Sequence, residues 1–105
     1  MMIHKTQHDG EVTLALTGRL DSVTQAELAR ELETVFQEKI SLLTLDLTAL
    51  DYLSSAGLRV FLSARKTVTG IGGRMKIVNA NEAINEILSI TGYAEITVMR
   101  KRGRQ

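Results

Sequence analysis

Hydrophobic spacing in this chain changes period several times, and each change has to mark a change of secondary structure. Leu43, Leu45 and Leu47 alternate with Thr44 and Asp46, the two-residue period of a strand with one buried face. A short loop follows, then Ser54 and Ser55, and then Leu58, Phe61 and Leu62 at helical spacing. The order is strand, loop, helix, with two hydroxyls at the helix start. The first turn of a helix has backbone N–H groups without intrahelical partners and a partial positive charge, so it favours an anionic group. A serine there is either a cap, worth about 1 kcal/mol, or a place to carry a phosphate. Serine caps are the commoner case, and local physics leaves both readings open.

Upstream, residues 2–7 and 11–17 are strand-like and are separated by His8-Asp9-Gly10. Asp-Gly between two such runs is a strong hairpin signal, and Val12, Leu14 and Leu16 form the buried row of the second run. Gly18-Arg19-Leu20-Asp21 is expected to turn the chain. Ser22 followed by Gln25 fits a capping box, and Leu28, Leu32, Val35 and Phe36 mark the inner face of a helix over residues 23–37.

A third strand is predicted over 40–47 and a second helix from 56 to about 68, closed by Gly70-Ile71-Gly72-Gly73. Residues 75–78 read as a short strand. Asn79 or Asn81 caps a third helix whose apolar face is Ile84, Ile87 and Leu88, and Gly92 stops it. Residues 95–99 make a last strand. The order β-β-α-β-α-β-α-β predicts an α/β sandwich, a mixed sheet of about five strands covered by three to four helices, with the later strands parallel.

At 105 residues the chain has the size of one domain, placed at 1–99. A hydrophobic content of 44% with 24% charged residues is that of an ordinary globular protein. The absence of cysteine excludes thiol catalysis, cysteine-bound zinc and disulfides. No apolar run is long enough to span a membrane, and Met1-Met2-Ile3-His4-Lys5 lacks the pattern of a secretory signal. A cytoplasmic monomer is the expectation. Arg100, Lys101, Arg102 and Arg104 supply four of the 13 basic side chains; without them the net charge of +1 becomes −3. Residues 100–105 therefore read as a basic, flexible tail. The remainder has no basic stripe interleaved with aromatics, which disfavours nucleic-acid binding.

Other candidate chemistry has simpler explanations. Gly70-Ile71-Gly72-Gly73-Arg74 follows a helix and precedes a strand, the reverse of a phosphate loop, so it reads as a turn needing positive φ. His4 and His8 lack an obvious third metal ligand and read as exposed strand histidines. Ser55 lacks the Gly-x-Ser-x-Gly elbow, since Leu53 stands two positions before it. Asp46, Asp51 and Asp21 read as turn acceptors or solvated charges. Neither cofactor nor metal is expected, and enzymatic activity is disfavoured.

Several of these segments together resemble the STAS family, and within it the free-standing bacterial anti-sigma factor antagonists. They are Leu16-Thr17-Gly18-Arg19-Leu20-Asp21, Leu45-Asp46-Leu47, Ser54-Ser55-Ala56-Gly57-Leu58-Arg59, Gly72-Gly73 and Ile90-Thr91-Gly92-Tyr93. The resemblance covers nearly the whole chain and implies a STAS-like fold. In that family the loop usually reads Asp-Ser-Ser/Thr-Gly-Leu, and the serine after the aspartate is phosphorylated. Matching Gly57 to the family glycine puts the phosphoserine on Ser55, with Ser54 the second choice. Ser54 stands where aspartate is usual, and Ala56 replaces the second hydroxyl residue.

The resemblance further implies partner switching. The unphosphorylated protein docks on an anti-sigma factor that is also an ATP-dependent serine kinase, through Asp21, Ser54, Ser55, Ala56, Gly57, Leu58 and Arg59. Phosphorylation of Ser55 ends the complex, and a PP2C-type phosphatase resets it. The protein is then a ligand and a substrate rather than a catalyst. A constitutive STAS docking subunit of a membrane transport system is the alternative implied by the same family.

Overall fold

A computed structural model describes residues 1–90 and 97–100. Strands β1 (Met2–His8) and β2 (Glu11–Leu20) form an antiparallel hairpin with His8 opposite Glu11. Its two-residue turn has positive φ at both Asp9 (49°) and Gly10 (83°), the conformation that matches the twist of the flanking strands. Helix α1 (Gln25–Phe36), strand β3 (Leu42–Leu53), helix α2 (Ser55–Gly70), strand β4 (Arg74–Ala80), helix α3 (Glu82–Ile90) and strand β5 (Thr97–Arg100) follow. The five strands lie in sequence order in one sheet, and β2 through β5 are parallel. Element order and mixed sheet are those expected, with three helices among the described residues.

One face of the sheet carries the core. Val12, Leu43 and Met75 are aligned across three strands, as are Leu14, Leu45 and Ile77, and all six are buried. Leu28, Leu32 and Val35 of α1, Leu58, Phe61, Ala64 and Val68 of α2, and Ile84 and Leu88 of α3 complete a single cluster with them. Each large side chain taken out of water there contributes roughly 1.5–3 kcal/mol. The alternate rows, such as Thr13–Thr44–Lys76, are mostly polar and, Thr44 apart, only partly buried.

Three boundaries differ from the sequence expectation, each for a physical reason. β2 does not turn at Gly18 but runs to Leu20, and β3 continues six residues past Leu47 to Leu53. Between them Ala15 and Thr17 pair with Asp46 and Ala49, and Gly18 and Arg19 pair with Leu50 and Tyr52. Each step inserts one extra residue into β3, a β-bulge that shifts which side chains face inward. The buried leucines of β3 therefore run 43, 45, 47 and then 50, 53. That three-residue spacing disguised the strand as a loop.

The second correction concerns α1, which starts at Gln25 rather than at residue 23, and Ser22 does not cap it. Asp21 accepts the N–H groups of Val23 and Thr24, both at 3.0 Å, so residues 22–24 form a turn ahead of the helix. Of the two caps that the sequence offers for α3, Asn81 is the one used, accepting the Ile84 N–H at 2.9 Å. Asn79 instead adopts a positive φ of 63° inside β4. The glycine turn after α2 behaves as expected: Gly72 has φ 87°, and Gly73 passes close to the Ile40 and Ser41 carbonyls. The expected stop at Gly92, the Thr91–Tyr93 part of the last family landmark, the start of the last strand at 95 and 96, and residues 101–105 of the tail lie outside the described residues.

Candidate functional site

Two loops meet at the carboxyl ends of β2 and β3. Leu20 and Leu53, the last residues of these strands, lie opposite one another, and the Ser54 N–H donates to the Leu20 carbonyl at 2.9 Å. Each strand then feeds a helix, so the Asp21 turn before α1 and the Ser54–Ser55 start of α2 emerge side by side. The structure thus brings together residues 33 positions apart in sequence, Asp21 and Ser54, at the carboxyl ends of two interior strands.

The two serines differ in environment. Ser54 is extended (φ −91°, ψ 171°), half-buried, and its Oγ accepts the Gly57 N–H at 3.1 Å. It is the cap. Ser55 is the first residue of α2 and is exposed, and among the described residues its hydroxyl has no hydrogen-bond partner. Both roles that the sequence allowed to a serine are therefore open at once, because they fall on different residues.

Gly57 lies directly beneath this start. A Cβ at that position would stand 2.6 Å from Leu20 Cγ and 3.0 Å from Leu53 Cδ1, distances that real Cβ atoms avoid. Glycine is what lets the first turn of α2 close onto the strand ends. Leu58 is also buried, so Gly57 and Leu58 hold the loop in place from below. Ala56 is half-buried and Arg59 exposed. A shallow groove beside the helix start is lined by Gln25, Ala56, Arg59, Val60, Leu62 and Ser63, among others.

Asp21 is held by its turn. Its N–H donates to Thr24 Oγ1 at 3.0 Å, and the Thr24 hydroxyl donates to the Arg19 carbonyl at 2.8 Å. The backbone N–H bonds from Thr24 and Val23 hold the Asp21 carboxyl below the usual carboxylate range, with the Arg19 charge a smaller contribution. Its second oxygen lies 4.0 Å from the Arg19 guanidinium.

Sequence reasoning missed two features of this end of the sheet. The Arg19 guanidinium stacks over Tyr52, 4.2 Å from the ring centroid, and Tyr52 is 40% exposed. Only the bulged register that places Arg19 opposite Tyr52 could have paired them. Val23, placed in the helix by its sequence, lies in the turn and is 80% exposed.

The remaining polar candidates lie elsewhere. Asp46 accepts from the Thr48 N–H and hydroxyl and from Asn79 Nδ2, which tie down the first bulge of β3. Partial burial raises its pKa, but these hydrogen bonds outweigh it and the net shift is downward. His4 and His8 are exposed, and no cluster of three metal-ligating side chains occurs among the described residues.

Comparison with known proteins gives the frame for this geometry. Residues 2–102 match the model of the STAS domain. The chain belongs to the STAS domain family. This STAS domain is 32% identical over 88 residues to BtrV of Bordetella bronchiseptica, covering 84% of this chain and 76% of BtrV. It is 30% identical over 90 residues to the anti-sigma-B factor antagonist of Bacillus subtilis, covering 86% of this chain and 82% of that protein. Among solved structures it superposes on unphosphorylated SpoIIAA with a TM-score of 0.84 at 15% identity, over 93% of this chain and 87% of SpoIIAA. At that identity the likeness establishes the fold. No helix among the described residues is long and apolar enough to cross a membrane.

Proposed function

We propose that this STAS domain is an anti-sigma factor antagonist that works by partner switching, with Ser55 as its phosphoacceptor. The observation that carries the reading is the division of labour between the serines. Ser54 caps the helix, and Ser55 presents an exposed hydroxyl, without a partner among the described residues, at the first helical position. Relatives named as anti-sigma factor antagonists support it, as does SpoIIAA, known in unphosphorylated and phosphorylated forms on the same fold.

In this reading the unmodified protein docks on a cytoplasmic anti-sigma factor that is also a serine kinase. Ser55, Ala56 and Arg59 with the adjoining Asp21 turn form the contact, and Gly57 and Leu58 hold it rigid from beneath. Docking releases the factor that the kinase held. The Ser55 Oγ then attacks the γ-phosphorus of ATP, losing its proton to a base on the kinase, and ADP departs. The new ester carries about −1.5 to −2 charges. Burying or opposing that charge in a fitted interface costs several kcal/mol, a loss of roughly 10²-fold or more in affinity. A PP2C-type phosphatase hydrolyses the ester and restores the docking surface. The domain itself is substrate and ligand, with no catalytic role.

The test is phosphopeptide mass spectrometry on protein purified from its host, paired with Ser55→Ala. Phosphate on the peptide containing residue 55, absent in the variant, is the expected result. Ser55→Ala should also co-purify persistently with the kinase, and Ser55→Asp should not. Equal recovery of the kinase with both variants would overturn the switch. Phosphate on Ser54 instead would keep the mechanism and move the acceptor.

A further inference from the structure

Helix α2 is unusual in its charges. Between Ser55 and Gly70 it holds Arg59, Arg65 and Lys66 and no acidic residue at all. A cation close to a helix start opposes the helix dipole, and an acidic residue in the first turn would be the ordinary choice. None is present there. Arg59 is exposed, and it takes part in neither the His8–Asp9 nor the Arg19–Asp21 ion pair. It is a guanidinium one turn into a helix whose start carries no anion.

Its position relative to Ser55 supplies the anion. The two residues are four apart on one helix, so their Cβ atoms are roughly 5–6 Å from each other on the same face. Helical side chains lean toward the N-terminus, so Arg59 leans back toward Ser55 rather than away from it. An arginine fork reaches a phosphate with two parallel N–H···O bonds, and such charge-assisted pairs are about twice as strong as neutral ones. The Ser55 hydroxyl has no competing partner among the described residues, and Arg59 no competing carboxylate.

We propose that Arg59 is the intramolecular partner of the Ser55 phosphate, closing on it within one turn of α2. This rests on Ser55 being the acceptor and adds a second action to the switch. Modification places an anion in the contact and, in the same event, takes Arg59 away from any acidic group of the kinase that it meets in the unmodified state. The phosphate is thereby compensated inside the domain, and the docking surface loses its nearest cation.

The experiment uses the full chain with phosphoserine installed at position 55 during translation, so no kinase is needed. The phosphorus resonance is followed against pH at low ionic strength. A nearby guanidinium favours the doubly ionised ester, whose second ionisation ordinarily lies near pH 6. Arg59→Gln should raise the midpoint by about half a pH unit. Arg59→Lys should recover part of the difference, because it keeps the charge but not the fork. Lys66→Gln, about 16 Å along the helix from Ser55, should change nothing. Superimposable titrations of the parent and Arg59→Gln would overturn the proposal. Absence of Ser55 phosphate in host cells would instead overturn the functional reading, and the two failures are separately visible.

Discussion

At the scale of single residues the site depends on one missing side chain. The 2.6 Å separation between a hypothetical Gly57 Cβ and Leu20 Cγ cannot be relieved by swinging a chain end, because Cγ is the branch point of a fully buried leucine. Overpacking of this kind costs about 1–3 kcal/mol, while alanine's better helix propensity returns up to about 1 kcal/mol. Gly57→Ala should therefore destabilise the domain by about 1–2 kcal/mol in urea denaturation, and a stabilised variant would show that the helix start is free to lift. The serine pair was legible in the sequence as a helix start, but not which serine caps, since that depends on backbone angles that place Ser54 outside the helix. The role of Gly57 was hidden for a different reason. Its neighbour Leu20 is 37 positions away and meets it only through the pairing of β2 with β3.

At the scale of elements, the start of α1 is set by the Asp21 turn and not by a capping box. The carboxylate accepts two backbone N–H groups, and its pKa is depressed mainly by those bonds. A depressed folded-state pKa means that the ionised form stabilises the fold above the unfolded value near 3.9, and that this contribution is lost as pH falls through the folded value. Asp21→Asn keeps an acceptor oxygen but removes the titration. The stability difference between the parent and Asp21→Asn should be constant from pH 5 to 7 and shrink below about pH 4, measured by urea midpoints along the pH series. A difference that grows on acidification would reverse the assignment. Strand segments with plain alternation, the first part of β2 and the first half of β3, were readable in the sequence, as was the Asp9-Gly10 hairpin. The ends of β2 and β3 were not, because two bulges changed the leucine spacing from two to three. The same bulges set Tyr52 opposite Arg19, so an error in the strand ends hid part of the site.

For the whole molecule, the question is whether the proposed switch changes shape or only surface. Ser55 lies outside the core cluster, which joins all three described helices to the sheet, and among the described residues its hydroxyl holds no bond that a modification would break. Beneath it, Gly57, Leu20 and Leu53 are packed without slack. A negative charge at the first helical position is favourable by roughly 0.3–1 kcal/mol. For a domain of about this size that corresponds to a rise of a few degrees in melting temperature at most. Ser55→Asp should therefore melt within a few degrees of the parent, and at or above it, while failing to bind the kinase. Amide shifts in a nitrogen–proton correlation spectrum should be confined to the first turn of α2, the Asp21 turn and the ends of β2 and β3. Shifts spreading through β4 and α3, or a melting temperature lowered by ten degrees, would mean that the charge acts by loosening the fold. The element order carried the parallel direction of the later strands, because each helix-linked crossover returns the chain the same way, while their order across the sheet is seen only in the structure. That topology puts two helix starts side by side at the carboxyl ends of β2 and β3, where the proposed switch requires a single charge to alter what this surface binds and to leave the core beneath it unchanged.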